Sequence, residues 1–223
     1  MKKRVAASTK RPRQRSPEGL RLLITGFGPF PGAPVNPTGP LVRNVAKRLR
    51  AGDKDIAIAT HVFATTYAAV DRDLPRLLAR HHPHAILMFG LATKSRGLRV
   101  EMQARNRICR KPDAAGIVPE AKTIRTGAAP ALPIRAPRAA LLKAAKAGAW
   151  PARLSSHAGD YLCNYLYWRA LENMRRGGMP GRAAFIHVPL LDPAKAGRGP
   201  DDLARTTAAI ARALLRSLTR ARR

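Results

Sequence analysis

LRLLITGF (20–27) is an unbroken apolar run apart from Arg21 and Thr25, and it ends in the Gly/Pro-rich stretch GPFPG (28–32). It reads as a buried strand, the first in an alternating series of strands and helices that sets the fold class. Leu41, Val42, Val45 and Leu49 fall at helical spacing across Thr38 to Leu49. DIAIATHVF (55–63) then returns to β-branched strand residues. A second helical stretch, Tyr67 to Arg80, carries Leu74, Leu77 and Leu78 on one face, with Pro75 in its middle. It leads into a third buried strand, HAILMFGL (84–91). After a Pro/Gly-rich stretch the pattern predicts helices over Ala136 to Ala147 and Asp160 to Arg175, with a short run around Leu154 between them. AAFIHVP (183–189) is a last strand. Asp202 to Arg220 closes the chain as an amphipathic helix whose stripe of Leu203, Ile210, Leu214 and Leu218 is interrupted by Thr207. Strands alternating with helices predict an α/β domain with a parallel or mixed sheet covered on both faces.

At 223 residues one domain is the default, and roughly 70% of the unfolded surface can be buried without a disulfide framework. Cys109 and Cys163 would supply at most one bridge. Ala85 to Ala92 is the longest nearly unbroken apolar run, far short of the ~20 residues that cross a bilayer, so no membrane partner is expected. No repeat or heptad runs along the chain. Residues 1–19 hold seven Lys/Arg against one Glu and lack apolar periodicity, which predicts a basic, disordered tail ahead of a domain over 20–223. The whole chain carries a formal charge of +29, enough to attract nucleic acid non-specifically through a basic surface. Aromatic residues make up only 5%, and no basic-aromatic alternation builds a base-stacking platform.

Sites in α/β sheets gather beyond the carboxyl ends of strands. TGFGPFPG (25–32) is a poor dinucleotide loop, because Pro29, Phe30 and Pro31 obstruct phosphate approach and Gly32 arrives one residue late. It instead displays Phe27 and Phe30, either as core packing or as walls for a flat, apolar-faced ligand. Asp160 is placed to cap the helix after it, which would set Cys163 near the third helical position, where the dipole favours thiolate. His187 ends a short apolar strand and points to the same crevice, so a Cys–His pair is more economical than a core histidine beside an inert thiol. Glu101 is the only acid among seven Lys/Arg between Lys94 and Lys111. Its alternatives are a structural ion pair with Arg99 or Arg105, or orientation of the imidazole. His81, His82 and His84 lack carboxylate or thiol partners in sequence and read as a loop; no metal and no cofactor is expected.

Several motifs together resemble those of the pyroglutamyl-peptidase I family of cysteine peptidases: TGFGPFPG…NPTG (25–39), VEMQARN…R-x-PD (100–113), SSHAGDYLCN (155–164) and FIHVPLLDP (185–193). The resemblance implies a three-layer α/β/α single domain with a mostly parallel twisted sheet. It implies a Glu101–Cys163–His187 triad that removes N-terminal pyroglutamate from peptides, with Phe27 and Phe30 flanking the lactam ring. On the same grounds Asn36, Leu91 and Arg110 are expected near the substrate, and the location is expected to be cytoplasmic. Members of the family are often assemblies, and the closing amphipathic helix could serve a homo-oligomer. Three departures bear on specificity: Leu91 cannot hydrogen-bond a substrate, Met102 stands where the family usually has Arg, and Cys109 enters a loop near the site. For Cys109, an inert thiol in a reducing compartment is expected over a bridge to Cys163. Weaker readings are a basic, catalytically poor nucleic-acid binder and a thiol hydrolase of another cyclic amide.

Overall fold

The computed structural model describes residues 19–177, 181–191 and 198–220, so all of the expected basic tail but Gly19 lies outside the described residues. β1 (Leu20–Phe27) divides its side chains between two cores, Leu22 and Ile24 on one face and Leu23 and Phe27 on the other. The same period-two division recurs in β3 (Ala85–Leu91) and β8 (Arg182–Val188): Leu87, Phe89, Ala184 and Ile186 face one core, and Ile86, Met88, Ala183 and Phe185 the other. Strands apolar on both faces belong in the middle of a sheet, and these three are adjacent there. With β2 (Ile56–Phe63), β4 (Leu98–Glu101) and β7 (Ala152–Ser155), the order is β2-β1-β3-β8-β4-β7. All neighbours pair in parallel except β4 with β8. A separate two-stranded ribbon joins β5 (Gln103–Arg105) to β6 (Ala131–Pro133).

One face of the sheet is covered by α1 (Thr38–Gly52), α3 (Arg138–Lys146) and α5 (Pro200–Arg220), the other by α2 (Tyr67–His81) and α4 (Leu162–Arg176). This is the expected three-layer arrangement. The long elements match the sequence periodicity, with ends shifted by one to three residues. Pro75 does not break α2, because it sits on the solvent side, where the carbonyl it leaves unpaired can be hydrated. Thr207 is fully buried and its hydroxyl donates to the Leu203 carbonyl at 2.7 Å, so the interruption in the α5 stripe is satisfied within the helix. Leu203, Ile210, Leu214 and Leu218 are all buried in the chain's own core, so the stripe that suggested assembly is already covered. Arg212 with Asp53, at 2.9 Å, ties α5 to the end of α1. Among the described residues no helix is long and apolar enough to cross a membrane.

β4, β5 and β6 were not visible as elements in the sequence, and they carry Glu101. The ribbon is held against α4 by Asn164, which has no exposed surface. Its Oδ1 accepts from the Arg105 N–H at 2.8 Å, and its Nδ2 donates to the carbonyls of Arg105 (2.8 Å) and Arg107 (3.0 Å). Asn164→Ala removes the side-chain partner of these part-buried backbone groups. A loss of roughly 2–4 kcal/mol is expected, read as a lower urea midpoint with an unchanged slope.

Candidate active site

Paired positions on neighbouring strands present their side chains to the same face. Arg153 of β7 is in register with Arg99 of β4, Arg99 with His187 of β8, and His187 with Gly90 of β3. These residues form a row across four strands, on the face covered by α4. Gly90 has no side chain, and Cys163 fills the space above it. A Cβ at Gly90 would lie 2.7 Å from the Cys163 Sγ and equally close to the Phe185 ring.

Cys163 is the second residue of α4, which starts at Leu162 after an extended Tyr161. The expected Asp160 cap is not formed. The backbone reaches the helix through Gly159 at φ +83°, and the Asp160 carboxylate lies 3.6 Å from His157 Nε2 instead. No side chain caps α4 and no acid sits in its first turn, so its leading N–H groups lack a capping side chain. The expected helix-start thiolate is not favoured either. Burial, reinforced by the negative charge of Glu101, pushes the Cys163 thiol up to about 12, and Arg99 offsets this only in part. Both cysteines are free thiols.

Glu101 has no exposed surface and His187 is 3% exposed. Glu101 Oε1 lies 2.8 Å from His187 Nδ1. A carboxylate only accepts, so Nδ1 carries the proton and Nε2 is left with its lone pair toward the cavity. Arg99 Nε lies 3.3 Å from the same Oε1, and its terminal nitrogen packs 3.4 Å from Nδ1. Glu101 therefore meets both partners considered from the sequence, the imidazole and Arg99, but not Arg105. Burial lowers the His187 pKa below the ordinary histidine value despite the opposing pull of Glu101. Burial thus disfavours the charged form of both the thiol and the imidazole.

Cys163 and His187 open on a cavity of about 340 Å³. Phe27, Phe30, Asn36 and Leu91 line it as well, as do Arg99, Arg153 and Lys94. Glu101 is behind His187, and Arg110 is exposed and outside the lining. Asn36 has both ends engaged: Nδ2 donates to the Gly28 carbonyl at 2.9 Å, and Oδ1 accepts from the Thr38 N–H at 3.1 Å. It shapes the loop carrying Phe27 and Phe30. Gly90, Arg153 and Lys94 were not singled out from the sequence, and Arg99 only as an ion-pair partner. The alternation in LRVE (98–101) was the available signal for β4. His84 Nδ1 accepts from the Arg21 N–H at 3.0 Å. Among the described residues no group of three His, Cys, Asp or Glu could hold a metal ion.

A thiol on an uncapped helix start, an imidazole with its distal nitrogen free and a carboxylate behind it, on an α/β/α sheet, are the parts of a cysteine hydrolase. The family model described as pyroglutamyl peptidase matches residues 20–211, and the chain belongs to that family. It is 33% identical over 171 residues to the pyrrolidone-carboxylate peptidase of Thermococcus kodakarensis, covering 76% of this chain and 81% of the relative. The corresponding protein of Gloeobacter violaceus is 34% identical over 186 residues, covering 81% of this chain and 86% of the relative. Among solved structures, the pyrrolidone carboxyl peptidase of Thermococcus litoralis superimposes with a TM-score of 0.77 at 27% identity, covering 90% of this chain and 96% of that one. The Bacillus amyloliquefaciens pyroglutamyl peptidase I gives 0.76 at 27% identity, covering 87% and 96%.

Gly90→Ala places a methyl group against the thiol and the Phe185 ring. Overpacking is expected to cost about 1–3 kcal/mol in chemical denaturation. Alkylation of the displaced Cys163 by iodoacetamide is expected to change in rate while Cys109 reacts as before.

Proposed function

We propose that this protein removes N-terminal pyroglutamate from peptides, with Cys163 as nucleophile, His187 as general base and then acid, and Glu101 orienting the imidazole. The observation that carries the reading is the 2.8 Å Glu101–His187 contact, with His187 lining the same cavity as Cys163, Phe27 and Phe30. Family membership supplies the substrate class.

Because burial disfavours charge on both thiol and imidazole, the thiol proton passes to His187 Nε2 as the sulfur attacks the pyroglutamyl carbonyl. The negative charge on the carbonyl oxygen is met by the leading N–H groups of α4, which no side chain caps. The tetrahedral intermediate collapses to a thioester as His187 protonates the leaving amine. Water, deprotonated by the same nitrogen, then attacks the thioester, and free pyroglutamate and the thiol are released. The ring carries no charge, which suits the faces of Phe27 and Phe30 and a cavity end without counter-ions. Free thiols at Cys109 and Cys163 suit a reducing compartment, consistent with a cytoplasmic enzyme.

The test is hydrolysis of a fluorogenic pyroglutamyl amide by the reduced protein. Turnover is expected in the wild type and none in Cys163→Ser; equal turnover in the two would overturn the assignment of the nucleophile. Glu101→Gln should lower kcat/KM about 10²–10⁴-fold, since the amide can present its N–H and hold the wrong tautomer.

The two shifts set the pH profile. His187 must be unprotonated to act, and its pKa is lowered, so the acid limb should fall below the ordinary histidine value near 6.5. The thiol is raised, so the profile should not bend at the ordinary thiol value near 8.5.

A further inference from the structure

The strand order gives the cavity a direction. Phe27 ends β1, Gly90 with Cys163 above it lies on β3, His187 on β8, Arg99 on β4 and Arg153 on β7. A lactam held at Phe27 and Phe30 puts its carbonyl at Cys163 and its leaving amine at His187. The remainder of the peptide then continues over β4 and β7, along Arg99 and Arg153. Lys94, on the loop after β3, lines the same cavity.

This end of the cavity is positive. The Arg99 side chain is 22% exposed, so its charge is partly shielded from solvent while its partner Glu101 is already bonded to His187. Among the described residues neither Arg153 nor Lys94 forms an ion pair, and no carboxylate lines the cavity. A neutral lactam uses none of these cations. Arg99 is shared with Glu101, while Arg153 and Lys94 are left for a negative group on the leaving side.

We propose that Arg99, Arg153 and Lys94 form an anion subsite for the leaving part of the substrate, selecting pyroglutamyl peptides with a carboxylate next to the scissile bond. That carboxylate is either an acidic side chain on the second residue or the C-terminus of a pyroglutamyl dipeptide. The proposal rests on the peptidase reading above and adds a preference to it. Arg99 touches His187, so Arg153, exposed on β7, is the residue to vary.

The experiment compares kcat/KM for pyroglutamyl-Ala-amide, pyroglutamyl-Asp-amide, pyroglutamyl-Lys-amide and pyroglutamyl-Ala with a free carboxylate. The reduced wild type is set beside Arg153→Glu and a charge-matched control on α1, Arg43→Glu, all shown folded by circular dichroism. At least one carboxylate substrate is expected to exceed the neutral amide by about tenfold, with the Lys substrate lowest and the gap shrinking at high salt. Arg153→Glu should narrow or reverse the gap, and Arg43→Glu should keep it. A gain for the Asp-amide alone assigns the subsite to a side chain; a gain for the free acid alone assigns it to a dipeptide terminus. Equal values for all four substrates, or a gap that Arg153→Glu leaves intact, overturns the subsite and leaves the peptidase reading standing. No hydrolysis of any substrate by the folded wild type overturns both.

Discussion

Glu101 has no exposed surface, and a carboxylate in that position is tolerable only because a hydrogen bond and a cation reach it. His187 supplies the first at 2.8 Å and Arg99 the second at 3.3 Å. Both contacts depend on β4 running against β8 in an otherwise parallel sheet, which sets Arg99 beside His187. The Tyr167 hydroxyl secures the turn out of β4 by donating to the Glu101 carbonyl at 3.2 Å. The second carboxylate oxygen has no partner among the described residues, so Glu101 depends heavily on His187 and Arg99. The same bond fixes the imidazole tautomer. A structural requirement, a hydrogen-bond donor for a buried acid, and a chemical one, a free Nε2, are met by one contact.

The thiol is held by a different constraint, the missing side chain at Gly90. Sheet and α4 approach closely enough there that sulfur occupies the place of a Cβ. Such packing reduces the solvation of the sulfur, which raises its pKa. A thiol kept neutral until a proton acceptor is aligned resists oxidation and alkylation, which depend on thiolate character. Reactivity is then tied to the geometry of the base.

Much of this was legible in the sequence because it rests on long periodic runs. The buried strands at 20–27 and 84–91, and the stripes of α1 and α5, bury whole faces and so leave clear patterns. The motifs around Glu101, Cys163 and His187 were legible as a resemblance. What escaped was set by tertiary partners. β4, β5 and β6 span three or four residues each, so short that even the alternation in LRVE (98–101) does not mark a strand by itself, and the ribbon is held by Asn164 from a distant helix. Asp160 has a capping residue's chemistry, but the chain turns at Gly159 and carries it away from the helix start. Arg110 belongs to a matching motif yet lies outside the cavity. The row of Gly90, His187, Arg99 and Arg153 exists only through sheet register, which no local stretch records.

The aromatic end of the cavity raises a question of polar satisfaction. A lactam buried there brings an N–H and a C=O that cost several kcal/mol if left unpaired. The nearby side chains offer little: Phe27, Phe30 and Leu91 are apolar, and Asn36 is bonded to Gly28 and Thr38. The Thr65 hydroxyl donates to the Gly28 carbonyl at 3.0 Å. On the proposed function, main-chain groups of this loop are then available to the lactam, and they can select it only if the loop is rigid beforehand. The loop has that rigidity. The Gly28 N–H donates to the Phe63 carbonyl at 2.8 Å, Phe30 and Ala33 exchange backbone hydrogen bonds, and the Phe27 N–H donates to the Thr38 hydroxyl at 3.0 Å. On the proposed function, Asn36, Thr38 and Thr65 would contribute to specificity by holding the backbone still, which makes leucine at position 91 compatible with recognition of a polar ring.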